Sequence, residues 1–134
     1  MMEWHIYIDG ASSGNPGESG AGIVVFDNND NELFRDSIYL GQMTNNMAEY
    51  EALIFALQKA KKSLIKKVSV YTDSLLVTNQ IHGKYKVKNT KLRKYVEETK
   101  NIIRNFNSFA LKYIPREENK IADKLAKDAV SKKG

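Results

Sequence analysis

Cysteine is absent from this 134-residue chain, which excludes disulfides, thiolate nucleophiles and cysteine-ligated zinc. Proline occurs twice, and no stretch approaches the run of roughly 20 apolar residues that a membrane-spanning helix needs. The opening Met2-Glu3-Trp4-His5-Ile6 lacks the basic-then-apolar order of a secretory signal, so a cytoplasmic protein without membrane association is expected. Acidic residues are missing between Asp73 and Glu97, where Lys84, Lys86, Lys88, Lys91, Arg93 and Lys94 crowd together. In a chain of net charge +5, such a strip is either a solvated basic face or a contact for phosphates. Composition leaves both open.

What is present is ordinary globular patterning, 42% hydrophobic and 28% charged, at a length that suits one domain spanning residues 1–134 and able to bury a core without cross-links. Trp4, Ile6 and Ile8 alternate with His5, Tyr7 and Asp9, the period of a half-buried strand. A turn-rich segment follows, then strands over about Ala21–Phe26 and Glu32–Leu40, separated by the turn residues 27–31. The period then changes. Met47, Tyr50, Leu53, Ile54 and Leu57 fall at helical spacing, and Val68, Val70 and Tyr71 form a fourth strand ending at Thr72-Asp73. A short helix to about Ile81 precedes an amphipathic helix carrying Leu92, Tyr95, Val96, Thr99, Ile102, Ile103 and Phe106. Phe109, Leu111 and Tyr113 alternate as a fifth strand, and a last helix covers about Lys120–Ser131. The order β-β-β-α-β-α-α-β-α predicts an α/β fold with a mixed five-stranded sheet: strands 1–3 antiparallel, strands 1, 4 and 5 parallel through right-handed crossovers, helices on both faces.

That topology concentrates acid at one edge. Asp9 closes the first strand and Asp73 the fourth, at the carboxyl ends where sheets of this kind bind ligands. Glu49 and Asp123 are expected in the first turns of the third-to-fourth-strand helix and of the last helix. Each has a local explanation. Glu49 stands three residues after Asn46 as in a capping box, Asp73 precedes a helix it could cap, Asp123 suits a positive helix end, and Asp9-Gly10 suits a turn. Those explanations require no convergence, whereas the topology brings all four carboxylates together.

The segments Tyr7-Ile8-Asp9-Gly10-Ala11-Ser12-Ser13-Gly14-Asn15-Pro16-Gly17, Thr44-Asn45-Asn46-Met47-Ala48-Glu49-Tyr50-Glu51-Ala52-Leu53, Tyr71-Thr72-Asp73-Ser74 and Asn119-Lys120-Ile121-Ala122-Asp123-Lys124-Leu125-Ala126 resemble, in order and spacing, the four motifs of type 1 ribonuclease H. The resemblance implies the ribonuclease H-like fold and a metal-dependent endonuclease that cuts the RNA strand of RNA–DNA hybrids, leaving 5′-phosphate and 3′-hydroxyl ends. It implies Asp9, Glu49, Asp73 and Asp123 as catalytic and metal ligands for two Mg²⁺ ions, with Mn²⁺ as an alternative. Hard cations favour oxygen donors, which agrees with a site free of Cys and His. RNA-strand contacts are implied at Gly10, Ser12, Asn15, Asn45 and Asn46, and a DNA-strand phosphate pocket at Thr44 and Asn89. Lys84, Lys86, Lys88 and Arg116 are candidate basic contacts.

Three departures from the family pattern stand out. The loop Pro115-Arg116-Glu117-Glu118-Asn119 lacks the histidine that many relatives carry there, and the two histidines, His5 and His82, lie elsewhere. Gln42 occupies the position where some relatives place an arginine in the phosphate pocket. Residues 80–89 also pass directly to the next helix, without the basic helix and loop of longer relatives, and a short form without a hybrid-binding module is expected. A monomer is expected. Two alternatives stay open: a nuclease of the same fold that also or instead cuts double-stranded RNA, and a non-catalytic hybrid-binding module.

Overall fold

The structure is a computed structural model and describes residues 2–132. Three long strands come first: β1 (Glu3–Ser12), β2 (Gly17–Phe26) and β3 (Glu32–Met43). Helix α1 (Asn45–Lys62) leads into β4 (Lys67–Thr72), followed by α2 (Leu75–Ile81) and α3 (Thr90–Ile103). Strand β5 (Ser108–Tyr113), a 3-10 turn at Arg116–Glu118 and α4 (Lys120–Ser131) complete the chain. The strands form one sheet in the order β3-β2-β1-β4-β5. The pairs β1–β2 and β2–β3 are antiparallel, while β1–β4 and β4–β5 are parallel. This is the expected mixed sheet.

Its core lies between the sheet and the α1/α3 layer. Ile6, Ile8, Val68 and Val70 pack there with Leu53, Leu57, Val77, Leu92, Val96 and Leu111. Helix α1 fits this layer through a row of fully buried alanines, Ala48, Ala52, Ala56 and Ala60, spaced every fourth residue so that they share one face. Small side chains let the helix axis come close. At the end of β1 the approach is tightest. A Cβ on Gly10 would lie 2.3 Å from the Ala48 carbonyl carbon and 2.4 Å from the Glu49 nitrogen, so only glycine fits beneath the start of α1.

Helix α4 repeats the device on the other face. Ala122, Ala126 and Ala129 are buried, and a Cβ on Gly22 would stand 2.2 Å from the Ala122 carbonyl oxygen. Because Gly22 is the β2 partner of Asp9, this contact also sets the first turn of α4 beside Asp9.

Several boundaries differ from the sequence reading. β2 begins at Gly17 and β3 runs on to Met43, because Gly17 to Ser19 pair with Met43 to Gly41 as an extension of the hairpin. α3 stops at Ile103, so Phe106 reaches the core from the following turn and not from the helix. The cap of α1 is Thr44, whose hydroxyl accepts from the Met47 N–H at 3.2 Å. Asn46 is therefore inside the helix and builds no capping box, and Glu49 lies in the second turn. Likewise Ser74, not Asp73, caps α2 by accepting from the Val77 N–H. With those duties taken by neighbours, neither carboxylate has the local role that would have explained it.

Replacing Gly22 by alanine is expected to push α4 off the sheet and to lower stability by about 1–3 kcal/mol, the usual cost of overpacking. Urea denaturation of the variant checks this, and an unchanged midpoint would contradict the close approach.

Candidate metal centre and nucleic-acid interface

Asp9, Glu49 and Asp73 each offer a carboxylate oxygen, and the three oxygens lie within 4.8 Å of one another. They come from three separate elements: Asp9 from within β1, which it does not close because pairing with β2 carries the strand on to Ser12, Glu49 from the second turn of α1, and Asp73 from the residue just past β4. Asp9 and Glu49 are both 5% exposed. The register explains the grouping, since Ile8 and Thr72 are the last paired residues of the parallel β1–β4 ladder and Asp9 and Asp73 follow them side by side. Asp123, in the first turn of α4, joins from the opposite face. Its carboxyl lies close enough to that of Asp9 for each to shift the other's ionisation. All four line one cleft of about 610 Å³, with Gly10, Ser12, Asn45, Arg116 and Lys127 among the other walls.

Two contacts fix the cluster. The Gly10 N–H donates to Glu49 Oε1 at 2.6 Å, through the same close approach that excludes a side chain at residue 10. The side-chain amide of Asn119 donates to the Ile8 carbonyl at 2.8 Å and to Asp73 Oδ2 at 3.2 Å. Asn119, 2% exposed, thus ties the start of α4 to β1 and to the acid after β4. Sequence reasoning quoted it only within a motif. An asparagine just ahead of a helix reads as a turn or cap residue, although here its side chain makes no cap.

The electrostatics are lopsided. Burial, then the neighbouring charges of Glu49 and Asp73, push the Asp9 carboxyl up to about 9. Burial pushes Glu49 up to about 8 against the pull of the Gly10 N–H. Among the described residues no cation pairs with Asp9, Glu49 or Asp73. Asp123 differs: burial opposes its ionisation, but Lys127 Nζ at 3.1 Å and Arg116 Nη2 at 3.6 Å hold it below its ordinary value. Lys127 was not singled out from sequence. Its spacing of four from Asp123 on a helix is the signal that would have found it. The site therefore has two acids whose ionisation crowding and burial oppose, beside one whose ionisation its basic neighbours favour. A divalent cation relieves that crowding directly, and an all-oxygen donor set suits a hard one.

Residues 7–129 match the family model described as reverse transcriptase-like. The chain is 37% identical over 130 residues to a bifunctional protein of Mycobacterium tuberculosis, a match covering 96% of this chain and 36% of that protein. The chain thus spans about a third of that relative's length. The crystal structure of RNase H1 from the halophilic archaeon Halobacterium salinarum aligns with a TM-score of 0.94 at 32% identity, covering 96% of this chain and 98% of that one. That of the compost-derived LC11-RNase H1 in complex with an RNA/DNA hybrid aligns with a TM-score of 0.90 at 39% identity, covering 96% and 97%. The chain belongs to the ribonuclease H family.

The other residues that the ribonuclease H resemblance singled out fall around the same cleft and one beside it. Ser12 and Asn45 line the carboxylate cleft. The Ser12 hydroxyl faces the carbonyls of Gly14 and of Met43, the latter at 3.1 Å, and Asn15 Oδ1 accepts from the Asn45 N–H at 3.0 Å. This last bond closes the β1–β2 turn onto the start of α1. Asn15, Thr44, Asn46 and Asn89 line a second cleft of about 560 Å³, where two helix N-termini meet. Thr44 caps α1 and Asn89 caps α3, its Oδ1 accepting from the Leu92 N–H at 3.0 Å. Capping consumes the acceptor of Asn89 and leaves its amide N–H groups without a partner among the described residues. Converging helix N-termini with spare donors make an anion site. Gln42 does not line this cleft. It donates to Glu18 at 3.4 Å.

Lys84, Lys86 and Lys88 are exposed in the segment joining α2 to α3, with no ion-pair partner among the described residues. His5 is structural, its Nδ1 3.0 Å from the Tyr71 hydroxyl and its Nε2 3.1 Å from Glu3. β1 is the central strand of the sheet, so His5 is no edge residue. His82 is the exposed C-cap of α2. Neither reaches the carboxylates.

The raised carboxyls make metal-free stability fall with pH. Asp9 and Glu49 in the folded state keep protons that an unfolded chain releases near 3.8 and 4.5, up to about 9 and 8. Their contribution is present at low pH and is lost as pH rises through that window. Thermal melts in EDTA are expected to show Tm falling between these limits, less steeply in Asp9→Asn, and added Mg²⁺ should raise Tm more at higher pH. A Mg²⁺ effect that shrinks as pH rises would contradict the assignment.

Proposed function

We propose that the chain is an endoribonuclease that hydrolyses the RNA strand of RNA–DNA hybrids, leaving 5′-phosphate and 3′-hydroxyl ends. The observation that carries this reading is the meeting of Asp9, Glu49 and Asp73 within 4.8 Å, without a counter-cation among the described residues, in a member of the ribonuclease H family. A pure hybrid-binding module has no reason to gather buried acid where a polyanion docks.

In this reading Asp9, Glu49, Asp73 and Asp123 hold two Mg²⁺ ions, for which Mn²⁺ can substitute. Such a pair supplies an activated water and neutralises charge on the attacking and leaving oxygens. By the family resemblance Asp9 would be shared by the two ions, Asp123 would help hold the one that activates water, and Glu49 and Asp73 the one that stabilises the leaving oxygen. The Gly10 N–H aims Glu49, Asn119 aims Asp73, and Lys127 with Arg116 keeps Asp123 ionised before substrate arrives. Turnover without the loop histidine is expected to be slower than in relatives that carry one, because proton transfer then has no dedicated imidazole.

RNA-strand recognition falls to Gly10, Ser12, Asn15, Asn45 and Asn46, reading the 2′-hydroxyl that distinguishes RNA. Thr44 and Asn89, at paired helix N-termini, take a phosphate of the DNA strand. Lys84, Lys86, Lys88 and Arg116 add contacts whose strength depends on salt. The four carboxylates come from one chain, Asp9 and Asp73 from the sheet edge and Glu49 and Asp123 from helices packed on its two faces, in support of a single domain over residues 1–134 acting as a monomer. No helix among the described residues is long and apolar enough to cross a membrane, which accords with action in the cytoplasm.

The deciding assay offers labelled hybrid, double-stranded RNA and double-stranded DNA with Mg²⁺ and with Mn²⁺. Cleavage of the RNA strand of the hybrid alone is expected. Cleavage confined to double-stranded RNA, or none in any arm, would overturn the reading. Asp9→Asn should stay folded and lose at least about 10²–10³-fold in kcat, the scale on which a preorganised charge-stabilising group acts.

Asn89→Asp keeps the cap of α3 but replaces the spare donors with negative charge. It should raise KM for hybrid about tenfold or more, the worth of a charge-assisted hydrogen bond, with kcat retained. Steady-state kinetics that show only a loss in kcat would contradict the phosphate site.

A further inference from the structure

The carboxylate cleft has two unlike walls. Ser12 and Asn45 border it on the β1 and α1 side, while Leu75, Leu76 and Tyr113 border it just after β4 and at the end of β5. In the sheet order β3-β2-β1-β4-β5, the second wall lies beyond Asp73. Register brings it close: Thr72 pairs with Tyr113, and Asp73-Ser74 leads directly into Leu75. α2 joins the core through Val77, Thr78 and Ile81, so its first two leucines are left outside, 54% and 39% exposed. Tyr113 is 49% exposed, and its hydroxyl has no hydrogen-bond partner among the described residues.

Single exposed leucines are ordinary. Three large apolar groups on one wall of a cleft that gathers acids form a patch, and such a patch marks a contact surface. Its continuity with the carboxylates fixes what covers it, because a strand that crosses Asp9 and Asp73 away from Ser12 and Asn45 runs onto it. Leucines offer nothing to a phosphate or a cation. A nucleic-acid strand, however, alternates its charges with sugars and bases that present apolar faces, which aromatic side chains contact without regard to sequence. The phenol adds one uncharged O–H donor, which reaches a phosphate oxygen without competing with metal ions for the carboxylates.

We propose, on the strength of the nuclease reading, that Leu75, Leu76 and Tyr113 hold the RNA strand where it passes Asp73. The leucines and the tyrosine ring pack on the nucleotide adjoining the cleavage point. The Tyr113 hydroxyl donates to an oxygen of the phosphate next to the scissile one. The two walls then divide the strand between them: the polar wall reads the 2′-hydroxyl, and the apolar wall keeps the backbone seated over the acids.

The test measures binding by the full chain in Ca²⁺, through the fluorescence anisotropy of a short labelled hybrid in which a single block of ribonucleotides fixes the register. A companion set carries one phosphorothioate of defined stereochemistry at each linkage of that block in turn, replacing a phosphate oxygen by sulfur, a weaker acceptor. Tyr113→Phe is expected to weaken binding about fivefold, the worth of one neutral hydrogen bond, with its thermal melt in place. At one linkage sulfur should cost the unmutated chain about threefold and cost Tyr113→Phe nothing further. Leu75→Ser/Leu76→Ser should weaken binding about tenfold and leave the slope of log affinity against log salt unchanged, because no ion is released. Equal sulfur costs in the two proteins at every linkage, or full affinity in the leucine variant, would overturn the proposal. The same hybrid in Mg²⁺ is scored apart: an uncut strand whose binding still depends on Tyr113 sinks the nuclease reading and leaves the contact standing.

Discussion

Burying two carboxylates side by side without a counter-cation is costly, and Asp9 and Glu49 do this toward the end of the central strand. A fold maintained only for stability would place a lysine there or an apolar pair. Here the acids are held in place by the Gly10 N–H on Glu49 and by Asn119 on Asp73. Positioning a charge that the protein itself leaves unneutralised makes sense when the neutralising charge comes from outside. The divalent-cation reading rests on this one constraint.

The packing of the molecule serves that placement. Small residues on two helices, the alanine row of α1 and the alanines of α4, meet glycines on β1 and β2. The resulting close approaches carry Glu49 to one side of Asp9 and Asp123 to the other. Parallel pairing of β1 with β4 adds Asp73. No single element contains the site. It exists only when the crossovers, both helix layers and the sheet register are all formed, so the function depends on the whole tertiary fold. Charge is sorted around it, with cations at the mouth on Arg116 and Lys127 and farther out on the basic strip, where phosphates would arrive.

The sequence carried much of this openly. The alternation in Trp4 to Ile8, the change to helical spacing at Met47 and the return to strand at Val68 were enough for the order of elements and the sheet. With the sheet in hand, Asp9 and Asp73 had to be neighbours. What was not legible depended on partners distant in the chain. Gly17 to Ser19 have little strand propensity, and they extend β2 because the opposite strand continues past them. Thr44, Asn45 and Asn46 all suit a helix cap, and only the backbone path chose Thr44. Nothing local marks Asn119 as the link between α4, β1 and Asp73, because its two acceptors lie 111 and 46 residues away. The proposed nucleic-acid surface follows the same division: the lysine run is visible as composition, while the meeting of the α1 and α3 N-termini is a product of packing.

The most direct test of the account is anomalous diffraction from crystals of the unmutated chain grown with a non-cleavable hybrid and Mn²⁺. Two anomalous peaks about 4 Å apart, with Asp9 touching both and Glu49, Asp73 and Asp123 completing the shell, are the predicted result. Mn²⁺ bound elsewhere, with Asp9 and Glu49 left protonated and metal-free beside the hybrid, would contradict it.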